Sequence, residues 1–588
     1  MWDCIQSPHI HHKLCHPHKT CLNRFKFQHL SILWASFVCA ANNTHLIVIK
    51  QGNTCLELNG IPTVNTPLRA GSFCGVFSIR TGANPTTIID SVSGKCLSVS
   101  YSTGNTKTTS LSLDACDNSS GQVWGTDSLG HISAVGTNDC LAFNADNTLI
   151  MNACSKESSN PGSFVQYGPL HTPRTLQIQH AKFPYICAGG DTVSRSTVRI
   201  HPICANFEMH SFGRLRNINS DQCLDVMNGI VRLQTCSNSQ GQKWAMSAIN
   251  RTIKSLETKT CLDINYLHNT LVLAECKNVV IRYAAENSIG KRPSTRFSPY
   301  TDVSQDNIEL GATVRAAKLR HITFAFIIAH ENGNSITWGG EYVLGGPDDA
   351  IDKKVIQSRE NGAQITASFG GADGKELALA IVSVEKLHKA YQKVIDYYGI
   401  SMLDFDIEGS TLGDTAVNAR RFSAISKLRK TNTNLEIFYT LPVETTGLGQ
   451  EALDFISNGM KLGVRPDIVN IMTMDYDQNQ VNMGAAAISA SKNTYSQLVA
   501  LGLTSTIGIT PMIGVNDENG IFTPANAAAV LAFAKSTPYV TMLCFWALHR
   551  DNGSKTTIDL SSMIQQSNLQ FSKLFSKFQP SYLSKTPL

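Results

Sequence analysis

The distribution of cysteines constrains what the first half of this 588-residue chain can fold into. Of 17 cysteines, four precede residue 40, twelve lie between Cys55 and Cys276, and only Cys544 follows. The twelve fit no CxxC pattern of the kind that binds zinc. Cysteines spread in this way are typical of a disulfide framework formed in an oxidising compartment. We therefore expect a disulfide-rich first half and a second half of a different fold class.

The twelve cysteines form six units. Each unit opens on one cysteine, which leucine follows in most units, and a second cysteine comes 13 to 20 residues later. The first cysteines of successive units are between 36 residues (Cys187 to Cys223) and 47 residues (Cys140 to Cys187) apart, a period typical of repeat architectures. Two units carry the sequence Gly-Gln-x-Trp, which ends at Trp124 in one and at Trp244 in the other.

This order of Cys-Leu, a second cysteine and Gln-x-Trp resembles the ricin-B-type β-trefoil lectins over residues 45–286. Because three units close one trefoil, six units imply two all-β trefoils in tandem, over 45–168 and 170–286. The resemblance also implies one disulfide inside each unit. The six implied pairs are Cys55–Cys74, Cys96–Cys116, Cys140–Cys154, Cys187–Cys204, Cys223–Cys236 and Cys261–Cys276.

In this lectin family an Asp just after Cys-Leu accepts hydrogen bonds from sugar hydroxyls, and an aromatic residue stacks on the sugar. Asp225 and Asp263 match the Asp position, but neither unit has an aromatic residue at the stacking position. The resemblance therefore implies weak or selective carbohydrate binding centred on these two residues. We expect Trp124 and Trp244 to be core residues rather than ligand contacts.

Residues 1–41 are expected to be an extension followed by a secretion signal, because a short apolar run over 30–38 precedes small residues around Ala40. No apolar run approaches the ~20 residues needed to span a bilayer. The formal net charge of +5 and the lack of a dense Lys/Arg run exclude nucleic acid and anionic membranes as expected partners. We expect a secreted, extracellular monomer that needs no metal or organic cofactor.

Three carboxylates stand at two-residue spacing in the apolar segment 403–409. In a β-strand Asp404, Asp406 and Glu408 would lie on one face, with apolar side chains on the other. Like charges this close raise at least one pKa, which keeps a carboxyl protonated near neutral pH. The apolar flanks favour a buried parallel strand over an exposed acidic edge.

From residue 296 onward, apolar runs alternate with helical segments such as 376–397, 418–430 and 524–536. Eight strands are expected, at 299–304, 322–329, 364–369, 401–408, 435–443, 468–476, 506–513 and 540–548. This order over about 270 residues favours a (β/α)8 TIM barrel, which we place at 295–570 with a tail at 571–588. The carboxylates would lie at the carboxyl end of the fourth strand, where barrel enzymes place their chemistry.

Strands three and four resemble the family-18 glycoside hydrolases. That family carries Ser-x-Gly-Gly on strand three and Asp-Gly-x-Asp-x-Asp-x-Glu on strand four. Here residues 368–371 read Ser-Phe-Gly-Gly, and Asp404, Asp406 and Glu408 fill the last three acidic positions. Ser401 replaces the first Asp, a residue that supports catalysis in the family rather than performing it.

The resemblance implies a chitinase with substrate-assisted retaining catalysis. Glu408 would protonate the glycosidic oxygen and later act as base toward water, while the substrate's N-acetyl carbonyl attacks the anomeric carbon. Asp406 would orient the acetamido group, and Asp404 would tune the pKa of its neighbour. This chemistry requires a 2-acetamido sugar, so the expected partner is chitin or another polysaccharide that contains N-acetylglucosamine.

Further substrate-binding residues follow from the resemblance. Trp546 matches the aromatic floor beneath the reacting sugar. That family carries Met-x-Tyr-Asp on strand six. An alignment without gaps places Met474 at the Tyr position, whereas the letters of the motif match two residues later, at 474–477. We favour the second match, which gives Asp475 and Tyr476 as site residues. Trp338, after strand two, is expected to stack on a flanking sugar.

The leading hypothesis is a secreted endo-acting chitinase, whose lectin-like modules would hold it near an insoluble polymer. A chitin-binding lectin that has lost catalysis is the first alternative, and Glu408 argues against it. The second alternative is an endo-β-N-acetylglucosaminidase acting on N-linked glycans, which would differ in its loops.

Overall fold

The computed structural model describes residues 44–580 with short gaps, the longest at 58–67, 81–85, 102–108, 155–165, 170–174, 190–196, 286–294 and 477–481. Within this part of the chain, no helix is both long and apolar enough to cross a membrane. The predicted extension and signal at 1–41 and the end of the predicted tail lie outside the described residues.

The first cysteine-rich stretch consists, where it is described, of short antiparallel strands. They are β1 Thr44–Gln51, β2 Thr54–Glu57, β3 Arg69–Gly71, β4 Phe73–Cys74, β5 Phe77–Arg80, β6 Ile89–Asp90, β7 Cys96–Tyr101, β8 Thr109–Asp114, β9 Trp124–Thr126, β10 Ile132–Ala134, β11 Asp139–Phe143, β12 Leu149–Ala153 and β13 Gln166–Pro169. β1 pairs with β2, β5 and β13, and β7 forms a hairpin with β8. These strands enclose their own apolar core around Trp124.

The second stretch repeats this plan with β14 Thr175–His180, β15 Cys187–Ala188, β16 Ile200–His201, β17 Asn206–His210, β18 Arg214–Asn217, β19 Gln222–Met227, β20 Ile230–Thr235, β21 Trp244–Ser247, β22 Ile253–Ser255, β23 Cys261–Asn265, β24 Thr270–Ala274 and β25 Ile281–Ala285. β14 pairs with β15, β17 and β25, as β1 does with its three partners. A separate core surrounds Trp244. β4 of the first stretch pairs with β21 of the second.

Five of the six predicted disulfides are present: Cys96–Cys116, Cys140–Cys154, Cys187–Cys204, Cys223–Cys236 and Cys261–Cys276. The sixth pair, Cys55–Cys74, lies outside the described side chains. The prediction that Trp124 and Trp244 are core residues is confirmed, because both are buried. Each indole N–H donates to a backbone carbonyl of its own unit, that of Leu97 or Leu224, at 2.9 Å.

The second half is a sheet of parallel strands with helices between them. Its strands are β26 Arg296–Phe297, β27 Tyr300–Asp302, β28 His321–Ala329, β31 Gln364–Gly370, β32 Met402–Asp406, β33 Glu436–Pro442, β34 Ile468–Met472, β35 Thr506–Thr510 and β38 Val540–Leu543, with short additions β29 Ile336–Trp338, β30 Tyr342–Val343, β36 Gly514–Val515 and β37 Ile521–Phe522. β26 pairs with β38, and β27, which follows it directly, pairs with β28, so the last strand lies beside the first.

The helices pack on the outside of this sheet. They are α1 Leu310–Ala317, α2 Ala350–Glu360, α3 Leu377–Ala380, α4 Val384–Tyr398, α5 Ser410–Gly413, α6 Thr415–Thr431, α7 Gln450–Lys461, α8 Met483–Ala500, α9 Pro524–Ser536 and α10 Gln570–Phe575. Together with the outward faces of the strands they form the largest apolar core of the protein.

Helix α4 illustrates how the sequence places the carboxylate strand β32. The Ser383 hydroxyl caps its first turn by accepting a hydrogen bond from the Lys386 N–H. Leu387, Tyr391 and further buried residues at helical spacing face the core. Gly399 ends the helix at a φ of 58°, which glycine adopts without strain. The chain then enters β32 three residues later.

The hairpin between β23 and β24 fastens the second cysteine-rich stretch to the outside of the barrel domain. The buried Arg359 on α2 donates from Nη1 to the Tyr266 and Leu267 carbonyls at 2.8 and 2.7 Å. The Asn269 amide donates to the carbonyls of Ile200 at 2.8 Å and Gly399 at 3.1 Å. A single asparagine therefore links both domains.

We predict that Asn269→Ala lowers the melting temperature by about 2–6 °C, because two buried carbonyls lose their donor and alanine tolerates a φ of 52° poorly. Asn228→Ala is the matched control, since Asn228 has a φ of 54° at the exposed tip of the β19–β20 hairpin. Scanning calorimetry of both variants measures the difference. Equal melting temperatures would contradict the proposed importance of this contact.

Candidate active site

Strand β32 places Asp404 and Asp406 in the barrel interior, and Glu408 follows the carboxyl end of the strand. Asp404 is 1% exposed and Asp406 5% exposed, while Glu408 stands two residues beyond the end of the strand and is half-buried. Asp406 and Glu408 line a cavity of about 390 Å³. Asp404 lies beneath that cavity. The three carboxyls therefore share one face, as the alternation of side chains along a strand predicts, but they lie at different depths.

The Asp404 carboxylate accepts hydrogen bonds from hydroxyls on three other strands. Tyr300 on β27 and Ser368 on β31 donate to Oδ2 at 2.7 and 2.6 Å. Thr440 on β33 donates to Oδ1 at 2.6 Å. The Asn470 amide on β34 in turn donates to the Tyr300 and Thr440 oxygens at 3.2 and 3.0 Å. Four strands thus cooperate to hold one buried carboxylate.

Burial and hydrogen bonding give the three carboxyls different proton affinities. Burial raises the pKa of Asp404, but the three donated hydroxyl bonds oppose that shift by stabilising its charge. Burial, followed by the charges of Glu408 and Asp404, raises the pKa of Asp406 well above its usual range. Asp406 is therefore the carboxyl that holds a proton most readily. Asp404 is the one whose ionised form is best stabilised, because three hydroxyls donate to it.

Burial also raises the pKa of Glu408, while its hydrogen bond with Asp406 lowers it. The charges of Asp373 and Asp475, both lining the same cavity, raise it further. A carboxyl with a raised pKa at the edge of a cavity can donate a proton at mildly acidic to neutral pH. This arrangement can supply general acid catalysis.

The two glycines that follow Ser368 and Phe369 allow the backbone and a ring to approach closely. A Cβ atom on Gly370 would lie 2.0 Å from the Asp406 carbonyl oxygen, and one on Gly371 would lie 2.7 Å from the Phe326 ring. Both glycines also have positive φ angles, 103° and 87°. The Gly-Gly pair therefore lets strand β31 pack against the carboxylate strand at the cavity.

Trp546 lines the cavity, as the sequence predicts. Its ring stacks on Phe326 with centroids 5.6 Å apart and an interplanar angle of 15°. It also lies 6.2 Å from the Tyr300 ring and meets the His549 ring edge-on at 6.0 Å. An aromatic floor of this kind suits the apolar face of a sugar.

The prediction for strand six is half wrong. Asp475 lines the cavity together with Met474, but Tyr476 is 1% exposed, packs in the apolar core and is absent from the cavity wall. Asp475 has a φ of 45°, and its N–H and carboxylate bond to Asn516 and to the Glu518 N–H. This turn directs Asp475 to the cavity and Tyr476 to the core. Met474, which the gapless alignment places at the position of the family's Tyr, lines the cavity instead.

The prediction that Trp338 binds a sugar from an exposed loop is wrong. Strand β28 continues past the barrel and pairs with β29, which places Trp338 in the core at 1% exposure. Its indole N–H donates to the Tyr398 hydroxyl at 3.0 Å, and its ring meets Phe324 edge-on. Sequence reasoning missed this because the extra hairpin has no separate signal in the apolar run.

The two predicted lectin residues differ in accessibility. Asp225 is 5% exposed, and its carboxylate accepts a hydrogen bond from the Gln242 amide at 3.2 Å. Asp263 is half-buried and accepts from the Val280 N–H at 3.0 Å. Both carboxylates therefore take part in the hydrogen bonding of their own units, and Asp263 is the more available to a ligand.

Several cavity residues were not predicted from the sequence. Tyr300, Thr440, Phe326, His549 and Arg550 all line the cavity. The two hydroxyl residues carry a weak signal, since each is a polar residue within an apolar strand. Among the described residues, no group of three or more His, Cys, Asp or Glu side chains could hold a metal ion.

Two known families match this chain. Residues 211–289 match the ricin-type beta-trefoil lectin domain, and residues 293–529 match the glycosyl hydrolases family 18. These segments correspond to part of the second cysteine-rich stretch and to most of the barrel domain.

Among similar proteins, the probable bifunctional chitinase/lysozyme of Escherichia coli (strain K12) is 30% identical over 313 residues, which are 49% of this chain and 35% of that protein. Endochitinase 11 of Metarhizium anisopliae is 31% identical over 281 residues, 44% of this chain and 53% of that protein. The chain thus spans about a third to a half of the length of these relatives. The solved catalytic domain of the hyperthermophilic chitinase from Pyrococcus furiosus is 30% identical over 49% of this chain and 95% of its own, with a TM-score of 0.44.

We predict that Asp406→Asn stabilises the protein at neutral pH. Since the folded pKa of Asp406 lies well above its usual value, the folded state binds more protons than the unfolded state, and stability falls as pH rises from about 4. Asparagine cannot ionise, so the variant should melt about 2–4 °C higher than the parent at pH 7 and show less difference at pH 4.

Asp454→Asn provides the control, since this aspartate is exposed on α7 and lies outside the cavity. It should change the melting temperature little at either pH. A parent and an Asp406→Asn variant that lose stability equally between pH 4 and 7 would contradict the assignment of the buried proton.

Proposed function

We propose that this chain, whose residues 211–289 match the ricin-type beta-trefoil lectin domain and whose residues 293–529 match the glycosyl hydrolases family 18, is an endo-acting chitinase that hydrolyses β-1,4-linked N-acetylglucosamine polymers. One observation carries the proposal: a buried row of carboxyls ends in Glu408 at a cavity floored by Trp546. The two relatives, a probable bifunctional chitinase/lysozyme and an endochitinase, support the same substrate class.

Glu408 is the proton donor in this proposal, because it is the half-buried member of the row and its pKa is raised. Its proton passes to the glycosidic oxygen as the bond from that oxygen to the anomeric carbon breaks. Water later attacks the anomeric carbon, and the Glu408 carboxylate takes up one proton from it. The carboxyl returns to its starting state after each cycle.

The nucleophile belongs to the substrate. The acetamido carbonyl oxygen bonds to the anomeric carbon and is released when water attacks, which is the substrate-assisted route known for this class of hydrolase. Asp406 Oδ1 is buried and has no hydrogen-bond partner among the residues that the structure describes, so it can accept the acetamido N–H. Asp404 supports Asp406 from below and takes no part in bond breaking.

We predict that Glu408→Gln lowers the turnover of colloidal chitin by at least ~100-fold, because it removes the acid and preserves the shape. Glu451→Gln, an exposed change on α7, is the control and should retain turnover. Mass spectrometry of products from chitin oligosaccharides and from a high-mannose glycoprotein identifies the substrate class. Release of whole N-glycans without chitin cleavage would contradict the proposal, as would a Glu408→Gln variant with near-parental turnover.

The domain plan belongs to the same proposal. Two trefoils at 45–168 and 170–286 would precede the hydrolase barrel at 295–570, in a secreted monomer. Strands β1 and β14 have the same pattern of antiparallel partners, and separate cores surround Trp124 and Trp244. Both observations support two tandem trefoils. The five disulfides support folding in an oxidising compartment.

The trefoils would increase the local concentration of the enzyme on an insoluble polymer. Because Asp263 is more accessible than Asp225, we predict that Asp263→Asn in a Glu408→Gln background weakens binding to insoluble chitin about tenfold. Asp225→Asn should have less effect on binding. Sedimentation assays measure both variants, and unchanged binding by Asp263→Asn would exclude this residue as a sugar contact.

A further inference from the structure

Arg550 lines the active-site cavity, and one nitrogen of its guanidinium has no hydrogen-bond partner among the described residues. It follows the Trp546 floor by four residues and is 1% exposed. Its Nε donates to the Ile558 carbonyl at 2.7 Å, and its Nη2 donates to the Val515 carbonyl at 2.8 Å. Nη1 is buried, and none of the described residues is its hydrogen-bond partner. The guanidinium is therefore held by strand β36 and by the turn that contains Ile558, with one donor nitrogen unused within the described structure.

A buried donor without a partner is destabilising, and more so when it carries charge. Buried groups of this kind are rare in folded proteins outside sites that bind a ligand or store strain. The neighbouring His549 is similar, since its Nδ1 is also buried and has no partner in the part of the chain that the structure describes. Two successive residues thus line the cavity with unused hydrogen-bonding capacity.

The charges around Arg550 limit what its free nitrogen can bind. Burial lowers the pKa of Arg550 to about 10, so it remains a cation at neutral pH, and the charges of Asp517, Asp475 and Asp559 oppose that shift. All three carboxylates line the same cavity. They would repel an anionic ligand group, whereas the guanidinium would repel an ammonium group. A neutral oxygen is the acceptor that suits Nη1.

Asp475 interacts electrostatically with both Arg550 and Glu408, the proposed catalytic acid. Its charge raises the pKa of Glu408 and that of Arg550, so it lies within electrostatic range of both. The reacting acetamido group is assigned to Asp406, and its carbonyl oxygen is the nucleophile that bonds to the anomeric carbon. A carbonyl acceptor for Arg550 must therefore belong to a neighbouring sugar unit rather than to the unit that is cleaved.

We propose that Arg550 is a specificity-determining residue whose Nη1 donates a hydrogen bond to the acetamido carbonyl oxygen of a sugar unit next to the one that is cleaved. An amide carbonyl is the strongest neutral acceptor on a chitin chain. The inference rests on the proposed chitinase function and adds to it a second acetyl group, beyond the one that reacts. A deacetylated unit at this position would lose the acceptor and bring an ammonium group toward the guanidinium.

The test compares two substrates of five sugar units. One is the fully acetylated pentasaccharide of N-acetylglucosamine, and the other is a partly deacetylated mixture of the same chain length. The first quantity measured is kcat/KM for the fully acetylated substrate divided by kcat/KM for the partly deacetylated one. The second is the acetylation pattern around the cleaved bond, which product sequencing gives. For the parent we expect acetylated units at the cleaved position and at one neighbouring position. Arg550→Gln should lower the kcat/KM ratio about tenfold and lose the preference at the neighbouring position only.

Arg359→Gln is the matched control, because Arg359 is another buried arginine that donates to two backbone carbonyls, far from the cavity lining. It should keep the parental ratio. Arg550→Lys is the second variant for the case in which Arg550→Gln does not fold, and it should also lower the ratio, since lysine lacks the fixed fork of donors.

The outcomes separate the two proposals. If the parent cleaves neither substrate, the chitinase proposal fails and this inference fails with it. If the parent cleaves both and the folded Arg550 variant keeps the parental ratio and product pattern, the inference alone is overturned. A change in the ratio that Arg359→Gln reproduces would assign Arg550 a purely structural role and would also overturn it.

Discussion

The carboxylate of Asp404, buried in the barrel and held by three hydroxyls, is the interaction on which the site depends. An ionised carboxyl in that interior would cost several kcal/mol without compensating donors. Tyr300, Ser368 and Thr440 supply them from three different strands. A shift in register of any of these strands would leave the charge unsupported. The same hydrogen bonds therefore fix both the sheet and the position of the row of carboxyls.

The rest of the chemistry follows from this fixed charge. Asp406 lies between Asp404 and Glu408 in the row, and their charges help to raise its pKa. Glu408, half-buried at the cavity, is left as the carboxyl that can exchange a proton with a substrate. The same field includes Asp475 and Asp373, which raise the pKa of Glu408 from the cavity wall. One strand thus carries carboxyls with three different roles because their depth differs.

Local patterns predicted those parts of the structure that depend on local rules. Strand alternation placed Asp404, Asp406 and Glu408 together, and the resemblance of the cysteine repeats to ricin-B-type lectins implied the five disulfides that the structure describes. Trp338 and Tyr476 were wrong because their orientation depends on distant partners: the β28–β29 pairing buries one, and the turn at Asp475 directs the other into the core. Arg550 had no local signal, since its two carbonyl partners come from separate segments, strand β36 and the turn that contains Ile558.

The central claim is that the nucleophile is supplied by the substrate and that the reaction retains configuration at the anomeric carbon. Proton NMR of a chitin oligosaccharide during its first minutes of hydrolysis tests this claim most directly. Two successive displacements on a β-linked sugar should yield the β anomer as the first product. Initial release of the α anomer would mean that water attacks directly, and it would contradict the roles given to Asp406 and to the acetamido group.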